Sequence, residues 1–162
     1  MEPHLYREAF AARQPDRLLS LCADDVILHS PLASEPGFEG RDVVAIMLPI
    51  VLEVFSDTQY THEFGDERSH MLVADSRVLD ERIKIATLLE LNTDGKISDI
   101  WLLARPLKAI TTLLEAVGQV LDGSGPDGVS VVYDLAKPLA ALGAASDRVN
   151  ARLVDDLNHS TI

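Results

Sequence analysis

Apolar residues recur with helical spacing at Leu5, Tyr6, Ala9, Phe10 and Ala12. This predicts an amphipathic helix over 3–12. Arg13-Gln14-Pro15-Asp16 interrupts it, and Asp16 is placed to cap a second short helix carrying Leu18, Leu19 and Leu21. Val26-Ile27-Leu28 is short, rich in β-branched residues and bounded by polar ones, which predicts a strand. Pro31, Pro36, Gly37 and Gly40 make the next stretch a loop. From Arg41 to Phe55 the apolar set Val43, Val44, Met47, Leu48, Val51, Leu52 and Phe55 predicts a third helix, with Asp42 favourable in its first turn. Pro49 falls inside that pattern and predicts a kink or an early end.

Beyond Asp57 the period changes from helical to two. Thr58–Phe64, Met71–Leu79, Ile83–Leu91 and Ile97–Leu103 each read as a strand. Asn92-Thr93-Asp94-Gly95 is a hairpin turn, its Asp-Gly pair suited to positive φ, and the short Asp80-Glu81 link predicts another hairpin. Pro106 ends the last strand, and 107–121 returns to helical spacing. Consecutive strands with short links predict a curved antiparallel sheet with helices on one side, an α+β arrangement. Such a sheet, closed by helices, leaves a concave pocket lined by alternate strand residues. The expected organisation is one domain over 1–121, a Gly-rich linker over 122–128, and a C-terminal helical arm over 129–162. The arm's apolar stripe runs through Val132, Leu135, Leu139, Leu142, Val149, Leu153 and Leu157.

Composition narrows the function classes. The chain has 162 residues, 47% of them hydrophobic, which is enough for one substantial core. Its net charge is −12, so phosphate backbones and anionic membrane surfaces are repelled, and neither nucleic acid nor membrane is an expected partner. The lone cysteine, Cys22, cannot form an intrachain disulfide and is expected to pack as a small hydrophobe. The N-terminal residues show no basic segment followed by an apolar run, and no apolar stretch reaches the ~18 residues of a membrane span. A cytoplasmic location is the resulting expectation. His4, His62, His70 and His159 are scattered without ligand spacing, and there is neither a glycine-rich phosphate loop nor a nucleophile elbow. No metal or other cofactor is expected.

Several local features match one known family. They are Tyr6 on the first helix, Cys22-Ala23-Asp24-Asp25, Ser30-Pro31, Ser34-Glu35-Pro36, and Asn92-Thr93-Asp94-Gly95-Lys96-Ile97 between the last two strands. With the order of elements, they make residues 3–121 resemble the nuclear transport factor 2-like superfamily, most closely its SnoaL-like and ketosteroid isomerase branches. The resemblance implies a cone-shaped, cystatin-like roll, an apolar pocket for a small hydrophobic molecule, and dimers formed through the sheet face. A homodimer, with the arm reaching across, is the expected assembly. The resemblance also implies site roles. Tyr6 stands where the ketosteroid isomerases carry an oxyanion-hole tyrosine. Ser30 stands at their general-base aspartate, and Thr87 at their protonated aspartic acid, an enzyme pair known for tuned carboxyl pKa values. Both carboxyls are therefore replaced by hydroxyls, and a serine without a base cannot abstract an α-proton at neutral pH.

The residues leave alternatives open. Tyr6 reads equally as a pocket hydroxyl or a helix-packing aromatic. Ser30 is a pocket group or a polar strand end, and His29, its neighbour, is catalytic or structural. Asp75 and Arg77 share a strand face. They could serve epoxide hydrolysis together with a further acid, or form an ordinary ion pair. Phe10, Leu28, Met47, Val51, Phe55, Ile85, Leu89, Ile100 and Leu102 are candidates for pocket lining as well as core. Trp101, Arg105 and Glu90 fall on the opposite sheet face. The expectation is a SnoaL-like protein that binds a small hydrophobic molecule, with possible isomerase, cyclase or hydrolase chemistry anchored by Tyr6, Ser30 and Thr87. A non-catalytic binding or interaction module is the alternative.

Overall fold

The computed structural model describes residues 3–33, 37–122, 145–146 and 148–152. The expected linker over 122–128 and arm over 129–162 lie outside the described residues, apart from 122 and short helical stretches at 145–146 and 148–152. Ser34-Glu35-Pro36 also lies outside them. The element order is α1 (Pro3–Ala11), α2 (Pro15–Leu21), β1 (Cys22–His29), β2 (Phe38–Glu39), α3 (Arg41–Val54), β3 (Ser56–Gly65), β4 (Ser69–Val78), β5 (Glu81–Leu91), β6 (Ile97–Arg105) and α4 (Leu107–Asp122). No helix among the described residues is long and apolar enough to cross a membrane.

The strands form one open sheet in the order β2-β1-β6-β5-β4-β3. From β6 to β3 every pairing is antiparallel, as short links require, and β1 pairs antiparallel with β2. The β1–β6 pairing is parallel, so the sheet is mixed rather than wholly antiparallel. Everything between α3 and β5 separates those two strands in sequence, leaving the chain free to return on the same heading. Between Cys22 and Ile27 the β1 backbone bulges, and the exposed pair Asp24-Asp25 occupies this detour.

Three local outcomes differ from the expectation. Helix α2 begins at Pro15 with Gln14 at its N-cap, so Asp16 lies in the first turn instead of capping it. Helix α3 runs through Pro49 to Val54, so the early end expected there does not occur. Pro49 is exposed, so the carbonyl one turn earlier that loses its donor lies on the wet side of the helix. The stretch read as loop also contains β2, whose Phe38 and Glu39 pair with Leu28 and Ile27. Gly37 makes that return possible. It sits at φ +97°, and a Cβ there would lie 2.8 Å from the Leu28 carbonyl oxygen.

Alternation decides which sheet face is dry. Ile83, Ile85, Thr87 and Leu89 on β5, and Leu72, Ala74, Ser76 and Val78 on β4, are buried beneath the helices. The intervening residues form an outer face. The core continues from Leu28, Ile97 and Ile100 into Val44, Leu48 and Leu52 of α3 and Ala109, Leu113 and Ala116 of α4.

Candidate functional site

Between the inner sheet face and helices α3 and α4 lies a cavity of about 210 Å³. Its floor is Leu28, Ile85, Leu102 and Ala104. Met47, Ile50, Val51 and Val54 line it from α3, and Phe55 closes that side. Leu113, Leu114, Val117 and Leu121 line it from α4. Ser30, Pro31, Leu32 and Phe38 surround the end where β1 leaves the sheet. Among the described residues, Ser30 is the one polar side chain in the lining, and none of these lining residues is ionisable.

Seven of the residues singled out from sequence meet here: Leu28, Ser30, Met47, Val51, Phe55, Ile85 and Leu102. The α4 residues were missed, although Leu113, Leu114, Val117 and Leu121 fall on one helical stripe that could have marked them. Ser30 also accepts the Leu32 amide N–H at 3.2 Å, which shapes the turn at the cavity rim.

The remaining candidates lie elsewhere. Leu89 and Ile100 are fully buried core residues, outside the cavity lining. Phe10 stacks on Tyr6 at 6.1 Å and meets Tyr60 edge-on at 6.4 Å, so this group packs α1 against the sheet. Burial pushes the Tyr6 phenol well above its ordinary value, with Tyr60 and Cys22 adding to the rise. Thr87 is buried on the inner face, directly across from Leu102 and Leu72, and is not among the described residues lining the cavity. Burial likewise raises the Cys22 thiol to about 11, against the opposing pull of Arg41 and Lys96.

His29, Asp75 and Arg77 are on the outer face and do not line the cavity. Alternation turns His29 away when Ser30 faces in, and its ring stacks on Trp101 with centroids 3.5 Å apart and planes 5° from parallel. Its Nε2 lies 3.1 Å from Asp99 Oδ1. Asp75 is half exposed and pairs with Lys84 directly across on β5. Arg77 donates to the Asp80 carbonyl oxygen at 3.1 Å. These two side chains therefore cannot polarise a molecule held in the cavity, which removes the pair as an epoxide-opening device at this site.

Comparison with known proteins fits this geometry. No family model and no curated protein matches the chain. Among solved structures, it is similar to a steroid delta-isomerase of Pseudomonas aeruginosa, with 30% identity and a TM-score of 0.69 over 73% of this chain and 87% of that one. A cystatin-like-fold protein of Silicibacter pomeroyi is similar at 26% identity and a TM-score of 0.70, over 82% of this chain and 92% of that one. A nuclear transport factor 2-like protein of Cytophaga hutchinsonii shares the fold at 14% identity and a TM-score of 0.52, over 63% and 85% of the two chains. The chain belongs to the nuclear transport factor 2-like superfamily, in its SnoaL-like, ketosteroid isomerase-like branch.

Proposed function

We propose that this protein captures a small apolar molecule in the cavity beneath α3 and α4. One observation carries the reading: among the described residues, the side chains lining the cavity are all apolar except Ser30. Sites of this kind hold ligands by burial and orient them with few polar groups. The volume bounds the size of the guest. A cavity of ~150 Å³ holds benzene, so about 210 Å³ suits a molecule of roughly eight to ten carbons. That is smaller than a tetracyclic steroid. Ser30 at the rim is the group available to meet one hydroxyl or carbonyl on the guest.

Proton-transfer chemistry has little support inside this lining, because moving a proton needs a group that titrates near the working pH. A second reading, isomerase-like turnover, is favoured by the 30% identity to a steroid delta-isomerase. That reading requires the guest to reach Tyr6 or Thr87 through the core packing, since neither is among the described residues lining the cavity.

The test is thermal stabilisation of the purified chain by a panel of monocyclic ten-carbon ketones and alcohols, steroids and acyl chains. Recovered ligand is then checked by mass spectrometry. A guest at 100 times its dissociation constant adds about 2.7 kcal/mol of stability. Stabilisation by the ten-carbon set, with the ligand returned unchanged, supports capture. Turnover that is lost in Tyr6→Phe supports the isomerase reading. No stabilisation by any member contradicts both.

A further inference from the structure

On the outer sheet face, away from the cavity, the ends of three strands gather positive charge. Arg77 and Arg82 stand directly opposite each other on β4 and β5, and Lys84 stands directly opposite Arg105 on β6. Alternation turns all four outward, because Ser76, Ile83 and Ile85 beside them are buried and Ala104 floors the cavity. The four line one surface cleft of about 540 Å³, in which Asp57 and Asp75 are the acids. The cleft is therefore positive in a chain whose net charge is −12.

Three of the four cations keep their charge uncompensated. Asp75 is taken up by Lys84. Arg77 gives one N–H to the Asp80 carbonyl oxygen, which carries no charge to offset its own. Among the described residues, the side chains of Arg82 and Arg105 form neither a hydrogen bond nor an ion pair, and Asp57 pairs with none of the cations. Cations directly opposite one another on a sheet repel, and an anion held between them replaces that repulsion by attraction.

We propose that this cleft binds the phosphate group of a small water-soluble molecule, with Arg82 at its centre and Arg77 and Arg105 on either side. The register supports it. Arg77 is opposite Arg82 and Arg105 is diagonal to it, spacings of ~5 Å and ~7–8 Å that three long side chains can close around one ion. Each guanidinium offers a planar fork of donors. A phosphate monoester presents three acceptor oxygens to three forks, where a carboxylate presents two. Charge sets the size of the guest. Glu90 and Asp99 lie on the same face, with Asp99 six residues before Arg105 on β6, or about 20 Å at ~3.3 Å per residue. A nucleic acid or an anionic membrane would run from the cations onto these acids. A single phosphate group, sensing charges within a Debye length of ~8 Å, meets mainly the guanidinia. The cleft and the cavity lie on opposite faces of the sheet, so this proposal stands or falls separately from apolar capture.

Titration calorimetry of the full chain with inorganic phosphate and with pyrophosphate tests this, against sodium chloride at matched ionic strength. Saturable binding at one site is expected. Arg82→Gln and Arg105→Gln should each weaken it about tenfold, as loss of a charge-assisted hydrogen bond does. Arg82→Lys should weaken it less, since the charge remains and only the fork is lost. Asp75→Asn, which releases Lys84 to the anion, should tighten it. Arg17→Gln, the same loss of charge on exposed α2, should leave it unchanged. Heats no greater than those of chloride overturn the proposal, as does equal weakening by Arg17→Gln and Arg82→Gln. Association with vesicles of equal parts phosphatidylcholine and phosphatidic acid, without binding of free phosphate, overturns the small-molecule guest.

Discussion

Replacing Ala104 by leucine asks whether the cavity is genuinely empty space. Ala104 stands on β6 beside Ile85, with its methyl forming part of the cavity floor. Leucine adds three carbons, worth up to ~2.4 kcal/mol at about 0.8 kcal/mol per buried methylene. Ordering the new side chain costs ~0.5–1 kcal/mol. In a close-packed site the same change would instead force neighbours apart at a cost of ~1–3 kcal/mol. The sign of the effect therefore reports the void. With about 210 Å³ available, Ala104→Leu is expected to stabilise the chain by about 1 kcal/mol. For a chain of this size, that raises the melting temperature by roughly 2–4 °C. The same variant should lose capture of ten-carbon guests, because its side chain occupies their space. Scanning calorimetry with and without ligand reads both effects. A fall in stability of 1 kcal/mol or more, or unchanged ligand capture, refutes the reasoning.

Three further outcomes follow from the same geometry. Gly37→Ala should destabilise by about 1–3 kcal/mol in urea titration, since alanine is strained at φ +97° and its Cβ would press on the Leu28 carbonyl. Asp75→Asn should change stability by no more than about 1 kcal/mol, because the ion pair with Lys84 is half exposed, and should leave ligand capture unaltered. Burial raises the Cys22 thiol from its ordinary value near 9 to about 11. The stability held by the neutral thiol is therefore fully present below pH 9 and lost as pH rises towards 11. Cys22→Ala should flatten that part of the stability–pH curve.

The periodicities carried most of the architecture. Alternation from Thr58 to Leu103 marked four strands, because a half-buried sheet imposes period two on its side chains. The apolar spacing of 41–55 and 107–121 marked the helices that cover it. What escaped had no local signature. Strand β2 is two residues long, and its existence depends on Gly37 letting the chain approach Leu28. The parallel setting of β1 against β6 is a long-range choice that no window of sequence encodes. In the candidate site, residues on the inner rows of the sheet were legible from alternation, as Ile85 and Leu102 show. The direction of Asp75 was not, since β4 carries apolar residues on both faces: Leu72 and Ala74 inward, Met71 and Val73 outward. Only the register with Lys84 reveals it. Tyr6 and Thr87 illustrate the other gap, because a residue can occupy a familiar place in the chain and still lie outside the lining of the cavity that forms there.

The most direct test of the central claim uses the methionines. The chain has three, of which Met47 lines the cavity and Met71 lies on the outer sheet face. Labelling their methyl carbons with ¹³C and titrating with a ten-carbon apolar ketone reports occupancy at a chosen place by nuclear magnetic resonance. Capture in the cavity predicts a saturable shift of the Met47 methyl signal with the Met71 signal unmoved. An unmoved Met47, or equal shifts at both, would contradict the assignment of the cavity as the binding site.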